Sequence, residues 1–279
     1  MTCTQALAQA TTRLKYTCER PRFEAEVLLS CYLGIDRAQL ILRHDEELED
    51  VEGYMAWVER RAAHEPVEYI TGRVSFYDIE LAVAPGALIP RPETEILVDK
   101  AAEIIRREGY TRIAEIGVGS GAVSVVLARM FPHLQIIATD ISQEALTVAR
   151  RNVEAFGLGD RIALRHASLL DGIEERVEMI VSNPPYIDPN ETLEPNVHDY
   201  EPHTALYAGQ GGMALLCEII ALAHARRAGH LACEMGYDQR EAVSACVKDI
   251  GVYSPDALEF YRDLAGHDRG FVFELKIKK

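Results

Sequence analysis

Metal-binding and disulfide frameworks are the first things missing. The six cysteines, Cys3, Cys18, Cys31, Cys217, Cys233 and Cys246, contain no Cys-x-x-Cys pair and no metal-ligand spacing. The nine histidines form no His-Glu-x-x-His or similar cluster. No metal is expected, and the cysteines are expected to be free thiols in a reducing cytosol. No basic segment followed by an apolar one opens the chain, and no apolar run approaches membrane-spanning length. A soluble, cytoplasmic protein with no membrane partner is therefore expected. Internal repeats and low-complexity segments are absent, and nothing demands more than a monomer. Positive charge is scarce: 29 Lys and Arg stand against 44 Asp and Glu, for a net charge of -15. That balance argues against a broad basic surface for gripping phosphates. A protein partner or a small molecule fits better, with a local basic groove still open.

What is present is a chain of 279 residues, 48% hydrophobic, long enough for one large domain or for a medium one and a small one. Residues 1–65 read as all-helical. Leu7, Ala10, Thr11 and Leu14 repeat at helical spacing. A second helix can begin at Pro21 and stop at Gly34, a short one covers Arg37 to Leu42, and Val51, Tyr54, Met55 and Val58 form another apolar stripe. These stripes are core, and no catalytic motif accompanies them. Residues 66–90, punctuated by Pro66, Gly72, Pro85 and Gly86, have β-type composition at Tyr69-Ile70 and Phe76–Val83 and read as a hairpin linking two domains. Residues 91–279 form the second domain. From Arg112 strands and helices alternate regularly, which predicts a parallel sheet covered on both faces. Two last strands, Leu258–Tyr261 and Phe271–Ile277, with a turn at 263–269 between them, close the chain as an antiparallel hairpin.

Three stretches carry chemistry. In the first, the strand Ile113–Ile116 runs into Glu115-Ile116-Gly117-Val118-Gly119-Ser120-Gly121 ahead of a helix from Ala122. The glycines permit a tight turn and close approach of backbone to a ligand. Gly117, Gly119 and Ala122 also satisfy the dinucleotide pattern. Asp140, at the end of the next strand, can accept hydrogen bonds from ribose hydroxyls; NAD and S-adenosylmethionine both carry such a ribose, so this acid does not choose between them. Ser168 and Leu169, after a third strand, can meet the amino edge and the face of an adenine. In the second stretch, the apolar run Met179–Ser182 is ended by Asn183-Pro184-Pro185-Tyr186, because two prolines cannot continue a strand. Side chains there project beyond the carboxyl edge of the sheet, where ligands bind in open α/β sheets. The side-chain carbonyl of Asn183, the rigid carbonyls of Pro184 and Pro185 and the flat face of Tyr186 suit a planar group bearing an NH2. The third stretch is Pro90-Arg91-Pro92-Glu93-Thr94-Glu95. Arg91 and Glu93 are either charges at a helix start or part of a loop that packs over the site. A long polar segment, 187–210, reads as a lid or substrate-binding loop.

Together, Glu-x-Gly-x-Gly-x-Gly at 115–121, Asp140 and Asn-Pro-Pro-Tyr at 183–186 resemble the class I methyltransferases that use S-adenosylmethionine to methylate planar nitrogen. The 90–95 stretch, Glu201-Pro202, Ala205-Leu206, Asp-Leu-x-Gly-x-Asp-Arg at 263–269 and the helical N-terminal domain narrow the resemblance to the release factor glutamine N5-methyltransferases, the PrmC/HemK family. The resemblance implies a Rossmann-like, mostly parallel α/β sheet with an antiparallel C-terminal strand, preceded by a small all-helical substrate-docking domain. It implies methyl transfer from S-adenosyl-L-methionine, leaving S-adenosyl-L-homocysteine, to the glutamine of the Gly-Gly-Gln motif in class 1 peptide chain release factors. Asn183, Pro184, Pro185 and Tyr186 would be catalytic. Glu115, Gly117, Val118, Gly119, Ser120, Gly121, Asp140, Ser168, Leu169 and Asn183 would bind cofactor, and Arg91 and Glu93 would belong to a substrate loop. Ser168 and Leu169 depart from the family pattern, where an acid and often an aromatic occur. Asn-Pro-Pro-Tyr is shared with enzymes that methylate exocyclic amino groups of DNA or RNA, the alternative reading, which the acidic charge disfavours.

Overall fold

The computed structural model describes residues 1–43, 45–250 and 257–275. The chain divides into two compact units, one of Met1–Arg73 with Leu193–Tyr200, the other of Val74–Thr192 with Glu201–Lys279. Among the described residues no helix is long and apolar enough to cross a membrane.

The first unit is a helical cluster of α1 (Cys3–Leu14), α2 (Pro21–Leu33), α3 (Arg37–Leu42), α4 (Val51–Ala62) and α5 (Val67–Thr71). Local signals delimit them. Thr2 and Gln5 form a capping box on α1, Pro21 opens α2, and Gly34 ends it at φ 65°. Leu28, Leu29, Tyr54 and Val58 are fully buried in the core of this unit. The β-type composition expected at Tyr69-Ile70 is wrong. Pro66 and Gly72 bound the helix α5 instead, and both residues turn inward from it. Five residues are too few for periodicity to separate helix from strand.

The second unit starts with a hairpin of β1 (Arg73–Phe76) and β2 (Ile79–Ala82), turned at Tyr77 with φ 57°. Then come α6 (Thr94–Glu108), β3 (Arg112–Ile116), α7 (Ala122–Met130), β4 (Gln135–Asp140), α8 (Gln143–Ala155), β5 (Ile162–His166) and β6 (Met179–Ser182). The short helix α9 (Pro195–His198) belongs to the first unit; after it the second unit continues with the short α10 (His203–Leu206), then α11 (Ala214–Ala225), β7 (His230–Glu234), α12 (Arg240–Asp249), β8 (Leu258–Arg262) and β9 (Asp268–Glu274). The seven strands from β3 onward form one sheet in the order β5-β4-β3-β6-β7-β9-β8. β5, β4, β3, β6 and β7 are parallel, and β9 runs antiparallel to both β7 and β8. The inner parallel strands β4, β3, β6 and β7 are buried on both faces, whereas the edge strand β5 is only partly covered: α6, α7 and α8 contribute to one core, α11 and α12 to the other. Chain order reverses between β3 and β6, so the crevice for a ligand opens beyond the carboxyl ends of these two strands.

Two expectations are corrected here. Cys217 on α11 and Cys246 on α12 are joined as a disulfide with Cα atoms 5.7 Å apart, while Cys3, Cys18, Cys31 and Cys233 are free. Their separation of 29 residues leaves no motif, and the pairing arises because the two helices cover the same face of the sheet. β9 also begins at Asp268, inside the stretch expected to be a turn, because pairing with β8 extends to that point. The far end of the expected last strand, at Ile277, lies outside the described residues.

Candidate active site

Beyond β3 the backbone turns through Gly117 (φ 75°), Gly119 (φ 53°) and Gly121 (φ 86°), a left-handed conformation that L side chains rarely adopt. A Cβ on Gly121 would stand in ordinary contact, 3.4 Å from the backbone of Ala149 on α8, so the positive φ and not lack of space calls for glycine there. A Cβ on Gly119 would meet nothing, and one on Gly117 only the Asn183 carbonyl at 3.9 Å. These two face open space where a ligand can lie against the main chain. The loop is pinned from below. The amides of Gly117 and Val118 both donate to the Thr139 carbonyl at 2.9 Å. The buried Asn152 of α8 donates to the Ser120 carbonyl at 2.8 Å and to the Ala82 carbonyl of the hairpin at 2.9 Å.

Asp140 ends β4 with both carboxylate oxygens anchored by backbone: the Gly119 amide donates to one and the Ser142 amide to the other, each at 2.9 Å. A carboxylate has lone pairs to spare beyond these two bonds. Glu115 is buried, with Ser124 of α7 donating to it. Burial pushes its carboxyl up to about 8, Ser124 pulls the other way, and the charge of Asp140 adds to the rise. Leu169 takes a positive φ of 50° and offers its carbonyl to the Thr139 hydroxyl at 2.7 Å, fixing the loop after β5.

A cavity of about 190 Å³ collects these groups. Glu115, Gly117, Val118, Gly119, Ser120, Asp140, Ser168 and Leu169 line it, together with Asn183, Pro185, Pro90 and Thr94. Gly121, Pro184, Tyr186, Arg91 and Glu93 do not. Pro184 is buried. Arg91 is ion-paired with the buried carboxylate of Glu201, which also accepts the Ile89 amide at 3.1 Å, so the 89–91 stretch is tied to the long loop. That long loop is itself stapled where it begins and ends: the Ile187 amide donates to Leu206 and the Ala208 amide to Ile187, both at 3.0 Å.

Several groups were invisible to motif reading. The Asn183 side-chain nitrogen donates to the Thr94 hydroxyl at 3.1 Å, Thr94 donates to Glu234 at 2.8 Å, and the Tyr186 hydroxyl donates to the other Glu234 oxygen at 3.2 Å. Burial is the main cause that lifts Glu234, up to about 7. Burial, and then the charge of Glu234, raises Tyr186 as well. Gln239 donates to the Tyr186 carbonyl at 2.8 Å and accepts from the Gly236 amide at 2.9 Å. A Cβ on Gly212 would stand 2.0 Å from the same Tyr186 carbonyl, so the exit from Asn-Pro-Pro-Tyr is clamped on two sides. One signal was available: Glu234 is an acid at the carboxyl end of a parallel strand that is otherwise apolar from Leu231 to Cys233.

Similarity to known proteins follows this architecture. The profile described as the PrmC N-terminal domain matches residues 5–72, and the methyltransferase small domain matches residues 93–200. A release factor glutamine methyltransferase of Moorella thermoacetica is 38% identical over 98% of this chain and 98% of its own length. Its counterpart in Caulobacter vibrioides is 34% identical over 96% and 95%. Among solved structures, the N-terminal domain of human METTL16 in complex with SAH superposes with a TM-score of 0.54 over 71% of this chain and 76% of that one. At 16% identity that likeness speaks for the fold alone. Identity at this level over nearly the whole length, in a chain matched by the helical-domain and methyltransferase profiles in turn, means that the protein belongs to the release factor glutamine methyltransferase family.

Proposed function

We propose that this chain transfers the methyl group of S-adenosyl-L-methionine to the side-chain amide nitrogen, N5, of the glutamine in the Gly-Gly-Gln motif of peptide chain release factors. The observation that carries the reading is that Asn183 and Pro185 line the same cavity as the glycine loop and Asp140. An acceptor for a planar NH2 therefore adjoins a cradle suited to a nucleoside. The N-terminal helical unit, which matches the family's own N-terminal profile, is assigned the docking of the release factor.

The residues present fit the cofactor. Gly117 and Gly119 leave open space against the backbone, Asp140, with both carboxylate oxygens anchored, would take the ribose, and Ser168 and Leu169, which line the cavity, would take the adenine. Glu115 lies nearest the role of partner to the methionine amino group, and a cation there would favour its ionised form. When bound, S-adenosylmethionine supplies a methyl already activated by its positive sulfur. What the protein has to add is alignment, which contributes on the order of 7–11 kcal/mol in favourable cases. An amide nitrogen is a weak nucleophile because its lone pair is delocalised into the carbonyl. In this reading the Asn183 side-chain oxygen accepts one N–H of the substrate amide and the Pro184 carbonyl the other. That leaves the nitrogen lone pair facing the methyl, with Tyr186 packed against the amide plane. The proton can leave after transfer, so no dedicated base is required.

Labelled S-adenosylmethionine incubated with an unmethylated release factor, the same factor with its Gly-Gly-Gln glutamine replaced, and bare RNA tests the reading. Label on the first alone is expected. Label on RNA, or equal label on both factors, would overturn it.

A further inference from the structure

Two buried groups touch the Asn-Pro-Pro-Tyr motif and have no role in the chemistry described so far. They are Thr94, the first residue of α6, and Glu234, the last of β7. The Glu234 carboxylate divides its oxygens, one taking the Thr94 hydroxyl at 2.8 Å and the other the Tyr186 hydroxyl at 3.2 Å. A threonine hydroxyl has a single proton. With that proton committed to Glu234, the oxygen of Thr94 can only accept. It meets the Asn183 side chain at 3.1 Å, so the amide must present its NH2 to it. The two ends of an asparagine amide have nearly the same shape, and without such a partner both orientations are open to it. Only one of them is useful: the flipped amide would set its NH2 against the NH2 of the acceptor, donor against donor. Among the described residues Asn183 Oδ1 takes no hydrogen bond, and Asn183 lines the cavity.

We propose that Thr94 and Glu234 are positioning residues that lock the Asn183 amide in one orientation, so that its oxygen is always the atom offered to the substrate amide. The inference rests on the reading of Asn183 as the acceptor of the substrate N–H. It deepens that reading by assigning the buried carboxylate behind it. Because Tyr186 shares the same carboxylate, both polar side chains of the motif are referenced to one fixed group. The relay works with Glu234 ionised, when it accepts from both hydroxyls. Once protonated on the oxygen that faces Thr94 it donates there, and the Thr94 proton is freed to turn toward Asn183. The charged and titratable groups around Glu234 are Glu93 beside Thr94, Tyr186, Arg269 on β9, Tyr261 on β8 and the adjacent Cys233. Of these, Glu93 raises its proton affinity and Arg269 lowers it.

The test compares Thr94→Val, Thr94→Ser and Glu234→Gln with Asn183→Ala. Thr94→Val keeps the shape and loses the hydroxyl. Its kcat is expected to fall roughly tenfold to hundredfold, with the Kd for S-adenosylmethionine unchanged within about twofold. Thr94→Ser should restore most of the kcat. In Glu234→Gln the acid limb of the kcat profile between about pH 6 and about pH 8 should disappear. Wild-type kcat in Thr94→Val, or parallel loss of kcat and cofactor affinity with no rescue by serine, would overturn the proposal. Should Thr94→Val fail to fold, an unchanged acid limb in Glu234→Gln overturns it alone. If Asn183→Ala turns over normally, the underlying reading of the motif fails instead, and the two failures are thereby distinguished.

Discussion

Around the cavity, the side assigned to the cofactor is held mainly by main-chain groups, whereas the side assigned to the acceptor is held by side chains from distant parts of the sequence. The Gly119 and Ser142 amides fix Asp140, and the Thr139 carbonyl holds the glycine loop. By contrast, Asn183 is fixed by Thr94, 89 residues away, which is fixed in turn by Glu234, 140 residues further on. A main-chain cradle tolerates variation in side chains as long as its glycines remain. A side-chain relay is intolerant of single changes but can set the orientation of one amide. The two sides should therefore fail differently when altered: one in affinity, the other in rate.

The largest separation is expected from Asn183→Ala. Turnover at saturating cofactor should fall by about 10²–10³-fold, as for loss of a group that acts mainly in the transition state, while the cofactor Kd stays within about threefold. Single-turnover kinetics and calorimetry on one preparation check both. Asp140→Ala should show the reverse: roughly tenfold to hundredfold weaker cofactor binding, with turnover near normal once cofactor is saturating. A loss of turnover at saturation would mean that the two sides are not separable.

Gly212→Ala probes the clamp behind the acceptor side. Its φ of 82° and the 2.0 Å approach to the Tyr186 carbonyl predict a destabilisation of about 2–4 kcal/mol, read from denaturant unfolding. The last effect, absent at low pH and growing as pH rises, concerns Glu115, whose carboxyl is pushed up to about 8 in the folded protein against an ordinary value of 4.5. Folding favours its neutral form. The stability it contributes is present below the ordinary carboxylate range and is lost as pH rises through about 8. Without cofactor, Glu115→Gln should gain stability over wild type as pH rises across that window, by up to roughly 1.4 kcal/mol per pH unit. Melting curves at several pH values check this, and a pH-independent difference would contradict it.

The same contrast explains what was legible beforehand. Gly117 to Gly121, Asp140 and Asn183 to Tyr186 each sit at the carboxyl end of a strand that is plain from its apolar run, so topology alone brings them together. The start at Pro21 and the stop at Gly34 delimited a helix for similarly local reasons. Thr94 was hidden in a motif as an ordinary helix start, and Glu234 and Gln239 matter only through partners far along the chain. The Cys217–Cys246 pair and the short helix α5 escaped for the same reason: tertiary packing, not local pattern, decides them.

The most direct test of the whole account is to locate the transferred methyl. After reaction with a full-length release factor, fragmentation mass spectrometry of its peptides should place a single methyl on the side-chain amide of the Gly-Gly-Gln glutamine, and Asn183→Ala should leave that peptide unmodified. A methyl on another residue, or on the same glutamine with Asn183→Ala as active as wild type, would contradict it.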